Sequence, residues 1–276
     1  MNYNTIIPDK HKFLQGLQDI AKVPEILYLR GKLPNERTPA VAIVGTRKPT
    51  AYGKDVTYRF AYNLAQKGVV IISGLAFGVD SIAHRAALDA GGITIAVLGN
   101  GIDSVYPRSH EKIAEEIIVK GGAIISEYAP ATITYQSNFL ARNRIVSALS
   151  DAIIVTEAAA RSGSLATVNH GLEQGKDVFA VPGNITSPMS AGCNEIIKQG
   201  AMPLTYVNQV LELFSLNNAP TKDEKSIIVK LIKKGIRDSD TLLQKSGLET
   251  SEFLQQLSLL EIQGSIRSLG GNEWTT

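Results

Sequence analysis

The feature of this sequence that most constrains its fold is a repeated unit in which a short apolar run is followed by a small or polar residue and then by a helical stretch. The apolar runs are rich in valine and isoleucine and lack polar alternation, as is typical of strands covered on both faces. They predict strands at 40–44, 69–73, 93–98, 123–126, 152–156 and 178–181. Helices are predicted between them at 55–67, 80–90, 109–120, 138–149 and 165–174. This alternation predicts an α/β fold with a doubly wound parallel sheet.

The junction between the second strand and its helix indicates what such a sheet could bind. The strand at 69–73 leads into Gly74 and Gly78, and a helix is expected to begin near Asp80. At junctions of this kind, backbone N–H groups point outward at a helix N-terminus and favour anions. Repeated along one edge of the sheet, they predict an extended anion-binding surface that suits a phosphodiester backbone or a nucleotide.

Composition narrows the class of protein. The 276 residues carry a net charge of only +2, so any binding of a polyanion must come from locally focused charge. No apolar run approaches the roughly 20 residues that span a bilayer, and the N-terminus lacks the pattern of a signal peptide. Cys193 is the single cysteine, which fits a reducing compartment. We therefore expect a cytoplasmic globular protein with no membrane contact.

The chain divides into four predicted segments. Residues 1–38 form a lead-in with a helix around 11–21 and an extended stretch at 25–30, and residues 39–216 hold the α/β domain. A polar linker is expected at 217–224, and three helical stretches with a hairpin outline a winged-helix-like domain at 225–276.

The charge of this last domain argues against tight binding of duplex DNA. Residues 221–276 contain eight Lys/Arg and eight Asp/Glu. The stretch in the position of a recognition helix, 250–262, holds Glu252 and Glu261, follows Glu249 and contains no basic residue. Protein contact is therefore favoured over the reading of duplex DNA.

Several chemistries lack their usual motifs. The sequence has no G-x-x-x-x-G-K-[ST] run and no G-x-S-x-G run, and the segment from Gly45 to Gly53 does not match G-x-G-x-x-G. The four histidines are scattered and lack zinc spacing, at positions 11, 84, 110 and 170. We expect no metal, no cofactor and no catalytic residues.

Two groups of residues remain as candidates for anion binding. Arg47 and Lys48 follow the first strand, where a guanidinium fork suits a phosphate, although a surface salt bridge is the alternative. Gly163 and Ser164 lie where the last of the predicted helices begins and could offer N–H groups or simply cap that helix. Asp80 could equally cap its helix or meet a ligand, and packing is favoured over catalysis for His84.

The helix predicted at 138–149 begins with an aromatic and basic run. Arg142 and Arg144 are two residues apart and therefore point about 200° apart around the helix. One can meet a ligand while the other braces the fold, and Asn143 is free to form a hydrogen bond between them. Tyr106, in the loop after the third strand, could stack on a base, although packing is more usual for an aromatic residue beside a proline.

Several of these runs, in fixed order over roughly residues 25–206, resemble the DNA-processing protein A family (DprA, also called Smf). The matching runs are 41–47, 73–84, 96–103 with Tyr106-Pro107, 126–127, 139–147, 162–165, 178–184 and 192–197. The resemblance implies an extended Rossmann-like domain that binds single-stranded DNA, often with a winged-helix-like domain at the C-terminus. It also implies a homodimer that loads the RecA recombinase during natural transformation, with no catalytic step.

The resemblance assigns roles to residues of this chain. It places the DNA-binding arginine at Arg47, and the aromatic and basic helix at Phe139, Arg142, Asn143 and Arg144. With the glycines above, the predicted DNA-binding set is Gly45, Arg47, Lys48, Gly74, Gly78, Phe139, Arg142, Asn143, Arg144, Gly163 and Ser164. A dimer surface is expected in the late part of the domain, at Ile196, Ile197, Met202 and Leu204, for which plain core packing is the alternative.

Two departures from the family pattern stand out. Many members carry an N-terminal helical SAM-like domain, and this chain begins too late to hold one. Members often place a lysine shortly before the aromatic residue of the basic helix, where this chain has Gln136. The alternatives are a phosphoribohydrolase-like enzyme that would use Glu157, although its usual P-G-G-x-G-T-x-x-E run is missing, and a nucleotide-sensing module that signals through the winged helix.

Overall fold

A computed structural model describes residues 2–216, 226–262 and 265–275. The chain forms two compact units, Met1–Ser215 and Leu216–Thr276. The linker predicted at 217–224 lies outside the described residues. Within the described part of the chain, no helix is long and apolar enough to cross a membrane.

The larger unit is built on one sheet, to which the described residues contribute nine strands. The strands are β1 (Asn4–Ile6), β2 (Leu27–Gly31), β3 (Ala40–Val44), β4 (Val70–Ser73), β5 (Thr94–Leu98), β6 (Ala123–Ser126), β7 (Ala152–Val155), β8 (Asp177–Ala180) and β9 (Met202–Pro203). Their order across the sheet is β1-β2-β6-β5-β4-β3-β7-β8-β9. The seven strands β6-β5-β4-β3-β7-β8-β9 are all parallel to their neighbours, whereas β1 pairs antiparallel with β2 and β2 with β6 at one edge. This confirms the predicted α/β class with a mostly parallel sheet.

Helices cover both faces of this sheet, as a doubly wound fold requires. They are α1 (Ala51–Gln66), α2 (Val79–Asp89), α3 (Glu111–Val119), α4 (Gln136–Leu149), α5 (Leu165–Glu173), α6 (Ala191–Lys198) and α7 (Asn208–Leu211). One core joins α4, α5 and α6 to the sheet, and a second core packs α2 and α3 against the opposite face of β5 and β6. Since both faces of the central strands are buried, their sequences show the unbroken apolar runs from which they were predicted.

The lead-in at 1–38 is part of this unit, whereas the sequence set it apart. Its 3₁₀ segment Lys12–Asp19, predicted as a helix, buries Phe13, Leu14 and Leu17 in the larger core. Its extended stretch becomes β2, which pairs antiparallel with β6. An antiparallel edge pairing depends on a partner nearly a hundred residues away, so local sequence alone does not reveal it.

The smaller unit has the outline predicted for a winged helix. Its helices are α8 (Ile227–Lys233), α9 (Ser239–Ser246) and α10 (Thr250–Ile262), followed by the hairpin strands β10 (Arg267–Gly270) and β11 (Glu273–Thr275). Its core includes Ile228, Leu242, Phe253 and Leu257. The indole N–H of Trp274 donates to the hydroxyl of Ser239 at 2.7 Å, which ties the hairpin to α9.

Candidate nucleic-acid interface

The sheet reverses its winding direction between β3 and β7. After β3 the chain crosses to β4 on one side, whereas β7 pairs with β3 on the other side. Ligands of doubly wound sheets bind in the crevice beyond the carboxyl ends of the strands at such a point. Here the loops after the two strands are joined, because the N–H of Thr46 donates to the carbonyl of Glu157 at 2.7 Å.

A cleft of ≈ 490 Å³ opens beside this reversal. It is lined by the loop after β3, the start of α2, the first half of α4, the turn before α5 and the loop after β8. The lining residues are Val44, Gly45, Thr46, Arg47, Lys48, Ala76, Asp80, Gln136, Phe139, Leu140, Arg142, Asn143, Ser162, Gly163, Ser164, Thr167 and Met189. The structure thus brings together eight of the eleven residues predicted to bind DNA: Gly45, Arg47, Lys48, Phe139, Arg142, Asn143, Gly163 and Ser164.

Arg47 and Lys48 supply exposed positive charge at this cleft. Both side chains are exposed, and among the described residues neither has a hydrogen bond or an ion pair. The loop that carries them is ordered by local bonds, since the N–H of Lys48 donates to the hydroxyl of Thr46 at 3.2 Å. The two cations are therefore held at the cleft with their donors available for an anionic ligand.

Arg142 also lines the cleft, but its guanidinium is occupied by the protein. One Nη donates to the carbonyls of Gly74, at 2.6 Å, and of Val97, so that it joins the loop after β4 to strand β5. Burial lowers the pKa of Arg142 and raises that of Asp80, and the opposite charges offset part of each shift. Arg142 therefore braces the wall of the cleft and balances a buried carboxylate.

Asp80 holds the loop that precedes α2. One of its carboxylate oxygens accepts from the N–H of Gly74 at 3.1 Å and from the N–H of Ala76 at 3.3 Å. Between them, Leu75 adopts a left-handed conformation with φ of 57°, which is costly for a leucine. Asp80 does not cap α2, whose N-cap residue is Gly78, and its carboxylate instead secures the strained turn before the helix.

Gly74 and Gly78 are part of the predicted DNA-binding set, but they are not among the residues that line the cleft. A side chain at Gly74 would clash with the guanidinium of Arg142. Gly78 has φ of +78°, and a Cβ there would lie 2.7 Å from the carbonyl of Arg47. The close neighbour of each glycine is thus part of the protein itself: Arg142 at Gly74, and the loop after β3 at Gly78.

Arg144 points away from the cleft and forms a fork-to-fork ion pair with Glu127. Its two Nη atoms lie 2.9 Å and 2.6 Å from the carboxylate oxygens of Glu127, and its Nε donates to the carbonyl of Lys22 at 3.1 Å. Both side chains of the pair are largely buried. The opposed directions that helix geometry predicted for Arg142 and Arg144 are observed, and Arg144 joins α4 to the loop after β6 and to the lead-in.

The turn before α5 completes the opposite wall of the cleft. Asn143 accepts from Nε of Arg142 and donates to the carbonyl of Gly163, both at 3.3 Å, so it fixes this turn against α4. Ser164 is the residue before the first turn of α5, yet its hydroxyl bonds Ser162 at 2.8 Å and forms no cap. Gly163, Ser164 and Thr167 line the cleft, so the positive end of the α5 dipole faces it. The N–H groups of Leu165, Ala166 and Thr167 donate to the carbonyls of residues 162–164 within the turn.

Glu157 lies at the other side of the β3 loop, beside a second cleft of ≈ 450 Å³. Its carboxylate is 2% exposed and accepts from the N–H of Thr50 at 2.8 Å and from its hydroxyl at 2.7 Å. Thr50 is the capping residue of α1, so the carboxylate secures the N-terminus of that helix, where its charge is favoured. This geometry gives Glu157 a structural role.

His84 is buried in α2, where Nδ1 lies 2.7 Å from the hydroxyl of Thr94. Burial, followed by the charge of Arg142, lowers the pKa of His84 to about 3. The imidazole is therefore neutral at pH 7 and packs against β5, in agreement with the packing interpretation favoured from sequence.

The four residues predicted for a dimer surface separate into two kinds. Ile196 and Leu204 are buried in the larger unit, which is the core alternative. Ile197 is partly buried against the same core, and Met202, on the outer strand β9, is 37% exposed. Any contact with a second copy at this edge of the sheet would therefore use Met202 first.

Both units match known protein families. The family model described as DNA recombination-mediator protein A matches residues 4–215, and the DprA winged helix domain matches residues 215–272. Protein Smf from Escherichia coli is 36% identical over 286 residues, covering 98% of this chain and 76% of Smf.

Two solved structures share the fold over about three quarters of this chain. DNA processing protein A from Streptococcus pneumoniae superposes with a TM-score of 0.69 at 37% identity, over 76% of this chain and 73% of that one. The Helicobacter pylori protein, whose structure is described in terms of its single-stranded DNA binding mode, gives a TM-score of 0.70 at 34% identity, over 78% and 96% of the two chains. These matches confirm the resemblance read from the sequence: the chain belongs to the DNA recombination-mediator protein A family.

Proposed function

We propose that this protein binds single-stranded DNA in the cleft lined by Arg47, Lys48 and the N-terminal end of α5. The observation that carries the proposal is the pair of exposed cations without a protein anion among the described residues, facing a helix N-terminus across one cleft. Guanidinium and ammonium groups donate to phosphates, and the positive end of a helix dipole favours the same negative charge. The single-stranded DNA binding of the Helicobacter pylori relative supports the same ligand class.

The cleft favours the backbone of a strand over a particular base. Its charged groups are donors suited to phosphate, and Phe139 offers a ring face, on which any base can stack. Such a combination binds without a sequence code. We therefore expect little base preference from the cleft itself and a clear preference for flexible single strands over duplex.

We further propose that the protein acts as a dimer that passes the bound strand to the RecA recombinase during natural transformation, with no catalytic step, in the cytoplasm. Family membership supports this role. The exposed Met202 at that edge of the sheet supports self-association there through an apolar side chain. Light scattering at micromolar concentration is expected to give the mass of a dimer, and a monomer mass would contradict that part.

Titration of labelled oligonucleotides tests the proposed ligand. Full-length protein is mixed with a single strand, with the matched duplex and with mononucleotides at one fixed salt concentration, and fluorescence anisotropy follows binding. The single strand is expected to bind far more tightly than the other two. Equal affinity for the duplex, or tight binding and cleavage of a mononucleotide, would refute the proposal and favour the nucleotide-binding alternative.

A further inference from the structure

We propose that Tyr106 is a base-stacking residue that extends the binding surface from the cleft onto the loop after β5. The proposal rests on the proposed binding of single-stranded DNA. Tyr106 is 57% exposed, and its ring centroid lies 5.3 Å from that of Phe139 at an interplanar angle of 45°. Phe139 lines the cleft, so Tyr106 continues an aromatic surface that starts there.

The position of Phe139 is fixed by its close contact with the loop that carries Tyr106. A Cβ at Gly99 would lie 2.7 Å from Cδ1 of Phe139, so the ring packs directly on the backbone of residue 99. The first residue after β5 thus supports one aromatic side chain, and the same loop presents the next one. The two rings are held as one surface by α4 and this loop.

Tyr106 is exposed although its loop is well anchored. Val105 and Pro107, on either side of it, are buried, and so is Ile102. Asn100 donates to the carbonyl of Ser104 at 2.8 Å, which closes the loop on itself. A ring displayed between two buried neighbours loses little conformational entropy on binding a partner.

The hydroxyl of Tyr106 also distinguishes it from exposed tyrosines whose hydroxyl groups bond the protein. The hydroxyl of Tyr52 donates to the carbonyl of Pro182 at 2.7 Å, and that of Tyr58 donates to Asp89 at 3.0 Å. Among the described residues, the hydroxyl of Tyr106 has no such partner. The ring face, rather than the hydroxyl, is what this residue offers, and a nucleobase is the flat apolar partner that the neighbouring phosphate donors would bring to it.

The test combines substitution of Tyr106 with removal of bases from the DNA, so that the interaction between the two can be measured. Full-length Tyr106→Ala, Tyr106→Phe and wild-type protein are titrated with a dT oligonucleotide and with a strand of the same length that carries abasic sites. Tyr106→Ala is expected to weaken binding of the dT strand by about 5- to 150-fold, the effect of losing one stacked base. It should leave binding of the abasic strand unchanged, and Tyr106→Phe should bind both strands as the wild type does.

Tyr3→Ala is the matched control. Tyr3 is an exposed tyrosine that precedes β1, five strand positions from β3, or roughly 24 Å across the sheet. It should leave both affinities unchanged. Equal binding of dT by Tyr106→Ala and wild type would overturn the inference while leaving the proposed function intact, whereas failure of the wild type to bind any single strand would refute the proposed function itself. An equal loss on both strands would show that Tyr106 does not act through a base.

Discussion

Replacement of Arg47 by alanine tests whether this guanidinium holds a phosphate. A charge-assisted hydrogen bond contributes about 1–3 kcal/mol, so the affinity for single-stranded DNA should fall by about 5- to 150-fold. Because the Arg47 side chain is exposed and makes no described contact with the protein, the substitution should leave the thermal unfolding temperature unchanged. Loss of affinity with full stability would separate a binding role from a structural one.

The salt dependence gives a second, independent magnitude. Each phosphate neutralised on a single strand contributes about 0.7 to the slope of log affinity against log salt concentration. The structure provides two exposed cations at the cleft, Arg47 and Lys48, while Arg142 is buried and balanced by Asp80. We therefore expect these two contacts to contribute a slope of about −1.4 in the wild type and about −0.7 in Arg47→Ala, which is a flatter line.

Anisotropy titrations across a salt series, with the same dT oligonucleotide, measure both quantities. Arg47→Lys keeps the charge and should retain the slope, but it should bind more weakly because the ammonium lacks the planar fork. Arg59→Ala is the matched control, since Arg59 is an exposed arginine on α1 whose neighbour is Asp55 at 3.8 Å. An unchanged slope in Arg47→Ala would refute the argument and place the phosphate contact elsewhere.

Three other substitutions probe the walls of the cleft and its support. Gln136→Lys adds a cation at an exposed lining position, so anisotropy should show tighter binding and a slope steeper by about 0.7, with Gln136→Ala lacking both effects. Arg144→Ala leaves the largely buried Glu127 without its cation; chemical denaturation should show a loss of about 3–5 kcal/mol, and a changed salt slope would contradict its bracing role. His84→Gln removes a group that stays neutral in the folded protein down to about pH 3 but is protonated below pH 6.5 when unfolded. As the pH is lowered from 6.5 to about 3, the free energy of unfolding of the wild type should therefore fall by up to about 1.4 kcal/mol per pH unit. Denaturation at several pH values should show a smaller fall in the variant.

The central sheet could be predicted closely because burial on both faces leaves a clear sequence pattern. Predicted strands 40–44 and 123–126 coincide with β3 and β6, and the other four agree within one residue at each end. Helix α1 begins four residues before its predicted start, since Thr50 accepts from the N–H of Gly53 and caps it earlier. Helix α6 was not predicted from the sequence, and it begins with Ala-Gly-Cys-Asn, a run with little helix propensity apart from its alanine.

The place of the cleft could be predicted from the order of the strands, whereas which side chains open into it depends on partners that the sequence does not show. Arg47 and Lys48 could be placed at the cleft because the carboxyl end of β3 fixes them there. Which arginine of α4 turns inward depends on Glu127 and on the carbonyls of Gly74 and Val97, and these are long-range contacts. Met189, which lines the cleft from the loop after β8, carries no polar signal by which sequence could have found it.

The wall formed by the β4 loop shows how a buried arginine can support the cleft while its guanidinium is bonded to the protein. Leu75 is held in a left-handed conformation, and the carboxylate of Asp80 stabilises that turn by accepting from the N–H groups on both sides of it. That carboxylate also lines the cleft, where its charge would repel a phosphate. The positive charge of Arg142 offsets part of this effect, and its guanidinium also bonds the carbonyl of Gly74. If the proposed function holds, Arg142 and Asp80 therefore keep this wall in place, and we expect the exposed Arg47 and Lys48 of the β3 loop to make the contacts with phosphate.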